Sequence, residues 1–196
     1  FAKRLGFVVH MRHNSVFVRP ERAQDHPEVF SVHLRAFGRP DEAQLVERLR
    51  HQGEQPQVSL VAQHNGQLVG HILFTPVRLP QSPRVRAMGL APLAVRPEFQ
   101  RRGVGSRLVQ VGLDALRIAA VDLVFVVGDS RYYARFGFGA ANVHGLHYPD
   151  PALDPHLMVA PLRAGALVGA KGLVQYALPF EALDTAGVSV GNEAAC

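Results

Sequence analysis

A strand, a glycine-containing turn and a helix follow one another between residues 86 and 119, and this succession constrains the fold more than any other feature. The apolar run Leu90-Ala91-Pro92-Leu93-Ala94-Val95 has the composition of a buried strand. The turn Gln100-Arg101-Arg102-Gly103-Val104-Gly105-Ser106 then opens a helical pattern that continues to Ala119. Strands that alternate with helices are typical of α/β proteins, in which helices cover a sheet.

The turn between this strand and this helix predicts an anion-binding site. The first amides of a helix have no intrahelical acceptor, and the helix dipole places partial positive charge there. The two glycines add no Cβ atom between a phosphate and the backbone, and the two arginines add full charges. We expect a pyrophosphate as the ligand. The candidate residues are Arg101, Arg102, Gly103, Val104, Gly105 and Ser106.

Other glycine-rich phosphate sites match this turn less well. The dinucleotide-binding fingerprint needs a third glycine where Leu108 stands. The phosphate loop of nucleotide hydrolases needs a Gly-Lys-Ser/Thr run, which the sequence lacks. A structural alternative stays open, in which the glycines only ease a tight strand-to-helix turn.

Two motifs carry a resemblance to a known family. Gln100-Arg101-Arg102-Gly103-Val104-Gly105 resembles motif A of the GNAT superfamily of N-acetyltransferases, Gln/Arg-x-x-Gly-x-Gly/Ala. Tyr133-Ala134-Arg135-Phe136-Gly137-Phe138, which begins 28 residues beyond Gly105, resembles the family's Tyr-x-x-x-Gly-Phe. The resemblance extends over roughly residues 16 to 180 and is closest to a bacterial subgroup with unassigned substrates.

The resemblance implies a fold and a reaction. The fold is an α/β GNAT fold, with a mixed, mostly antiparallel sheet whose central strands splay apart and with helices on both faces. The reaction is the transfer of an acetyl group from acetyl-CoA, the cosubstrate, to a primary amine. We expect direct attack in a ternary complex, because no candidate covalent nucleophile is visible, and a small-molecule acceptor. A protein acetyltransferase and a non-catalytic acyl-CoA-binding module stay open as alternatives.

The resemblance also implies roles for particular residues. Backbone groups of Leu93, Ala94 and Val95 would hold the pantetheine arm as if it were another strand, and Pro92 would mark the bulge that splays this strand. Tyr133 would be the general acid that protonates the leaving sulfur. The alternative for Tyr133 is a packed aromatic within a group of neighbouring rings.

The sequence does not single out a general base. Many relatives use a carboxylate on the strand before motif A, but the run from Met88 to Leu93 contains neither an acid nor a histidine. The candidates are His71, Glu98 and Asp129, and a water relay is a further option. The asparagine that usually contacts the cofactor arm in this superfamily is also absent, so that contact is in doubt.

Composition narrows the class of protein and its partners. A chain of 196 residues with 47% hydrophobic residues suits one globular domain, expected over residues 15–184, with flexible termini at 1–14 and 185–196. The net charge of +5 favours an anionic ligand. The basic residues are scattered, so we expect no nucleic-acid partner. A homodimer is left open.

Location and metal content are constrained by what the sequence lacks. No apolar run approaches the roughly 20 residues that cross a bilayer, so we expect no membrane partner. The single cysteine, Cys196, cannot form an internal disulfide, and we expect a cytoplasmic protein. His144, His147 and His156 lie in a loop without tight ligand spacing, so we expect no metal.

Periodicity and turn residues predict the remaining elements. Asp25 is expected to cap a first helix that ends at Gly38 and buries Phe30, Leu34 and Phe37. The helix after Gly103 is expected to bury Val104, Leu108, Val111, Ala115 and Ile118. A second helix (about 41–53) and a short one (131–136) are also predicted. The predicted strands are 15–19, 58–62, 68–74, 86–95, 122–127, 157–162 and 173–178.

Overall fold

The computed structural model describes residues 16–52 and 54–177. Predictions that fall on residues 1–15, on Gly53 and on residues 178–196 lie outside the described residues. The helices are α1 (His26–Phe37), α2 (Asp41–Gln52), α3 (Val104–Ile118) and α4 (Ser130–Tyr133). The strands are β1 (Phe17–Pro20), β2 (Val58–His64), β3 (Gln67–Val77), β4 (Ala87–Val95), β5 (Leu123–Val127), β6 (Gly139–Ala140), β7 (Leu146–His147), β8 (Leu157–Pro161) and β9 (Gly172–Leu173).

Seven of these strands form one sheet in the order β1-β2-β3-β4-β5-β8-β6. Every neighbouring pair is antiparallel except β4 and β5, which run parallel. The strands β7 and β9 form a separate parallel pair. The predicted mixed, mostly antiparallel sheet is therefore confirmed, and its two edge strands are short.

Helices cover both faces of the sheet, as predicted. Successive residues of a strand point to opposite faces. Ile72 and Phe74 pack in the cluster that contains Leu108 of α3. Leu73 packs instead with Leu45 of α2. The sheet is thus buried between α3 on one face and α1 and α2 on the other.

The helix α3 lies very close to β3. A Cβ atom at Gly112 would stand 2.3 Å from Cε2 of Phe74, so glycine is required where the helix crosses this ring. The predicted helix face is only partly correct, because Ile118 is 89% exposed. The buried side of the helix includes Leu113 and Leu116 instead. The sequence offers apolar residues on two adjoining sides of this helix, and packing against β3 selects between them.

The first helix also departs from its predicted face. Leu34 is 41% exposed, whereas Val32 and His33 are fully buried. The carboxylate of Asp25 does not cap α1; it pairs with Arg19 at 2.6 Å, because that guanidinium lies within reach. The predicted end of the helix is confirmed, since Gly38 has a φ of 70°.

The segment that follows β8 returns across the face covered by α1 and α2. Up to residue 177, the predicted strand at 173–178 is realised over Gly172–Leu173 only. Beyond it, Val174 N–H donates to the carbonyl of His147 at 2.8 Å, and Gln175 forms an isolated bridge with Arg78. The ring of Tyr176 packs on Gly89, where a Cβ atom would stand 2.3 Å from Cε1. Within residues 16–52 and 54–177, no helix is long and apolar enough to cross a membrane.

Candidate functional site

The parallel strands β4 and β5 part at the middle of the sheet. They pair only from Ala87 to Gly89, opposite Leu123 to Phe125. Beyond Gly89, β4 continues to Val95 without pairing with β5. The register between β3 and β4 shifts between Ile72 and Phe74, and Pro92 lies in the extra stretch of β4 at that shift. The predicted splay and the predicted bulge are therefore both present.

The register decides which backbone groups of β4 face this opening. In an antiparallel pair, hydrogen-bonded and non-hydrogen-bonded residues alternate. Arg96 N–H donates to the carbonyl of Val69 at 2.9 Å, so Arg96 and Val69 are a hydrogen-bonded pair. Two residues further along each strand, His71 and Ala94 are the next hydrogen-bonded pair. Leu93 and Val95 therefore direct their N–H and C=O groups away from β3, towards the opening. The backbone groups of Ala94 point instead to β3, so a role of Ala94 at the opening does not come from its own N–H or C=O.

The turn after β4 exposes the beginning of α3. The first helical bond runs from Arg107 N–H to the carbonyl of Gly103, at 2.9 Å. The amides of Val104, Gly105 and Ser106 therefore precede the first bond, and no side chain caps the helix. Gly103 has a φ of 83°, a conformation that favours glycine, and a Cβ atom there would meet no protein atom within 4 Å. No protein atom therefore occupies the space beside Gly103 at the start of α3.

Positive charge borders the same amides. Arg101 and Arg102 are both exposed, and neither forms an ion pair in the described part of the chain. Arg102 lies over the ring of Phe99, with 5.9 Å between its guanidinium carbon and the ring centroid. Two free guanidinium groups beside an uncapped helix start are the geometry of a phosphate site.

Gln100 fixes this turn to the end of β4. Its side-chain Nε2 donates to the carbonyl of Val95 at 3.0 Å. In the sequence, Gln100 is recognisable only as the first residue of the motif. Its partner could not be found there, because the partner is a backbone atom whose direction depends on strand register.

Tyr133 lies at the carboxyl end of β5, which borders the opening. Asp129 begins α4, where its side chain accepts a hydrogen bond from Arg131 N–H at 2.9 Å. A Cβ atom at Gly128 would stand 2.8 Å from Cε2 of Tyr133, so this glycine lets the ring lie against the backbone. The ring is buried and makes an edge contact with Phe138, with centroids 5.6 Å apart. This packing fixes the ring's position, whichever of its two predicted roles applies.

The three side chains considered as general bases all have other partners. His71 is fully buried, and its two ring nitrogens lie 2.8 Å from Ser59 Oγ and 2.8 Å from His33 Nε2. Glu98 is exposed and pairs with Arg35 at 3.7 Å. The carboxylate of Asp129 caps α4 and pairs with Arg131 at 3.1 Å.

The histidine belongs to a buried polar cluster that the sequence did not reveal, formed by Glu21, His33, Arg50, Ser59 and His71. Glu21 accepts hydrogen bonds from both Ser59 and Arg50. Since Ser59 donates its proton to Glu21, its oxygen accepts from His71 Nε2–H. His71 Nδ1 then accepts from His33 Nε2–H. One direction of donation therefore runs through the whole cluster.

The pKa values of the cluster follow from burial and from these bonds. Burial lowers the pKa of His33 well below its ordinary value. Burial also lowers the pKa of His71, although Glu21 opposes the shift. For Glu21, burial would raise the pKa, but the interaction with His71, whose Nε2 lies 3.7 Å from Oε2, the hydrogen bond from Ser59 and the charge of Arg50 bring it to about 2. The cluster is thus an ionised carboxylate with two neutral imidazoles.

The described residues include no group of three or more His, Cys, Asp or Glu side chains that could hold a metal ion. Of the loop histidines, His147 pairs with Asp154 at 3.1 Å. His144 and His156 are exposed.

This geometry agrees with what comparison with known proteins finds. Residues 18–141 match the family described as "Acetyltransferase (GNAT) domain". The N-acetyltransferase YjhQ of Escherichia coli strain K12 is 41% identical over 137 residues, which cover 67% of this chain and 75% of YjhQ. YhbS, an N-acetyltransferase of the same strain, is 34% identical over 161 residues, which cover 82% of this chain and 96% of YhbS.

Solved structures extend the similarity to three dimensions. The crystal structure of YhbS from Escherichia coli in complex with CoA superposes with a TM-score of 0.81 at 34% identity, over 86% of this chain and 93% of that one. A GNAT acetyltransferase from Brucella melitensis in complex with acetyl-CoA gives 0.70 at 30% identity, over 86% and 99%. The chain belongs to the GNAT family of N-acetyltransferases. The family and the fold predicted from the two motifs are confirmed.

Proposed function

We propose that this protein transfers an acetyl group from acetyl-CoA to the primary amine of a small molecule, by direct attack in a ternary complex. The observation that carries the proposal is the opening between β4 and β5, which leads directly to the uncapped start of α3. A long ligand with phosphates at one end and amides along its arm matches both parts. The relatives solved with CoA and acetyl-CoA support the same ligand.

Each part of the cosubstrate has a matching part of the site. The pyrophosphate binds the amides of Val104, Gly105 and Ser106, with Arg101 and Arg102 beside them. The pantetheine amides pair with the C=O of Leu93 and the N–H of Val95, as an added strand would. The N–H of Leu93 donates to the thioester carbonyl in this proposal and stabilises the charge that develops there.

Proton transfer completes the reaction. Tyr133 donates its phenolic proton to the leaving thiolate, since a phenol with an ordinary pKa near 10 is protonated at neutral pH. Because His71, Glu98 and Asp129 all have other partners, the proton of the amine leaves through water.

The covered sheet face favours a small acceptor. Tyr176 lies on Gly89, the last residue of β4 that pairs with β5, and Gln175 is held to Arg78 by two backbone hydrogen bonds of 2.9 and 3.0 Å. This segment therefore lies on the sheet face below the opening, where an extended peptide would otherwise lie. A small amine needs only the space beside the thioester.

Calorimetry with acetyl-CoA tests the cosubstrate, with ATP and NAD as controls. We expect micromolar affinity for acetyl-CoA and much weaker binding of both controls, because only CoA offers an arm for β4. An equal response to ATP would mean that the turn binds phosphates in general, and would contradict the proposal. Thiol release from acetyl-CoA with a panel of small amines then tests catalysis; tight binding without release from any amine or peptide would indicate an acyl-CoA-binding module instead.

A further inference from the structure

We infer that Gln100 is a positioning residue that couples the two halves of the cosubstrate site, an inference that rests on the proposed function. Its Nε2 donates to the carbonyl of Val95 at 3.0 Å. This carbonyl belongs to the backbone edge that faces the opening. The residue therefore joins the strand that holds the arm to the turn that holds the phosphates.

The bond closes a short and highly bent stretch of chain. Between Val95 and Gln100 the backbone makes a tight turn, in which Phe99 N–H donates to the carbonyl of Arg96 at 2.8 Å. Directly after Gln100, Arg101 has a φ of 56°, which is uncommon for a residue other than glycine. With the Gln100 side chain in place, the turn cannot rotate away from the end of β4 without breaking this hydrogen bond.

The same bond also determines which groups the arm can use. An amide arm that pairs with β4 finds the N–H and C=O of Leu93 and the N–H of Val95. The carbonyl of Val95 is already occupied by Gln100. Removal of the Gln100 side chain should thus have opposite effects on the two halves: the phosphate turn loses its anchor, and the arm gains an acceptor.

This opposition can be measured with two probes, acetyl-CoA and S-acetyl-pantetheine, which carries the same arm and thioester but no nucleotide. The dissociation constant of each is measured by calorimetry, directly or by competition. The dissociation constant of S-acetyl-pantetheine divided by that of acetyl-CoA reports how much the nucleotide half contributes. We expect Gln100→Ala to weaken acetyl-CoA about tenfold, the size of one hydrogen bond that fixes the turn. Binding of S-acetyl-pantetheine should be unchanged or tighter, so the ratio falls.

Two further variants control this test. Gln110 is an exposed glutamine on α3 whose side chain bonds only Asp114, at 3.3 Å, so Gln110→Ala should leave the ratio unchanged. Gln100→Arg keeps a donor that can reach the carbonyl and should restore the ratio. Equal weakening of both probes by Gln100→Ala, or no change in either, would overturn the inference. If the wild-type protein binds neither probe, the proposed function fails instead, which is a separate outcome.

Discussion

Two regions of this molecule differ in a way that composition alone would misjudge. The buried cluster of Glu21, His33, Arg50, Ser59 and His71 contains the acid, hydroxyl and imidazole groups that catalysts often use. The turn from Arg101 to Ser106 contains two arginines, two glycines and no group that titrates near neutral pH. Yet the buried cluster saturates most of its groups with one another, whereas the turn presents free charges and uncapped amides to solvent.

A binding site is therefore better defined by solvent access and by unsatisfied hydrogen-bonding groups than by the types of its residues. The cluster joins β2 and β3 to α1 and α2, so its hydrogen bonds act within the fold. The turn leaves its N–H groups and positive charges available to a ligand. Variants in the turn should therefore change ligand binding, whereas variants in the cluster should change stability.

Gly103→Asp should have the largest effect, a loss of acetyl-CoA affinity of about 100-fold or more, because like charges in contact cost several kcal/mol. Gly103→Asn is the matched control, since asparagine has nearly the same shape, tolerates a positive φ and carries no charge. Its side chain adds bulk but no charge, so it should bind more weakly than the wild type and at least about tenfold more tightly than Gly103→Asp. Calorimetry measures both variants, and normal binding by Gly103→Asp would mean that the phosphate site is misplaced.

Tyr133→Phe tests a side chain that is buried, like the polar cluster, but borders the opening, like the turn. We expect kcat to fall about 100-fold, because the general acid is lost while the ring and its packing stay. The affinity for CoA and the melting temperature should change little. A steady-state assay of thiol release separates the two roles of Tyr133: an unchanged kcat would leave it as a packing residue only.

Acidification should act on the buried cluster and lower the free energy of unfolding. His33 and His71 have pKa values in the fold below the unfolded value of about 6.5, so the unfolded chain binds more protons. Their stabilising contribution is complete above about pH 6.5 and is lost as the pH falls below it. For His33, whose pKa lies well below its ordinary value, the loss approaches about 1.4 kcal/mol per pH unit, and His71 adds to it in the same direction. Urea unfolding at pH 7, 6 and 5 measures it.

A matched pair of variants assigns this pH dependence. The double variant His33→Gln/His71→Gln should be less stable at pH 7 but should show a flatter profile down to pH 5. His51→Gln, at an exposed position on α2, should keep the wild-type profile. An equally steep profile in the double variant would show that other groups cause the loss. Below about pH 4.5 a further loss is expected in all variants, because the pKa values of Glu21 and Asp25 are both about 2 in the fold.

Glu98→Gln should have the smallest effect. Its pair with Arg35 is exposed and 3.7 Å long, and such pairs contribute about 0–1 kcal/mol. We expect kcat to stay within about twofold of the wild type, a difference well below 1.4 kcal/mol. A large drop in kcat, with unchanged stability, would instead identify Glu98 as the base.

The sequence predicts what depends on local pattern. The strand, turn and helix around Gly103 and the end of α1 at Gly38 follow from residue types with strong backbone preferences, and the structure has them where they were predicted. The exposed positions of Leu34 and Ile118 could not be predicted, because several sides of each helix are apolar and packing selects one. The cluster around His71 and the partner of Gln100 join residues far apart in the chain or depend on register, for which periodicity carries no signal.

The short edges of the sheet have a consequence for how copies of this protein could meet. At one edge β1 has four residues and ends in Pro20, which has no N–H to donate, and at the other edge β6 has two residues. Long, flat edge strands are where separate molecules most readily add strand to strand, in dimers and in aggregates alike. Within the described residues, a continuous intermolecular sheet, such as one in the homodimer left open by the sequence, would therefore find little backbone to start from at either end of the seven-stranded sheet.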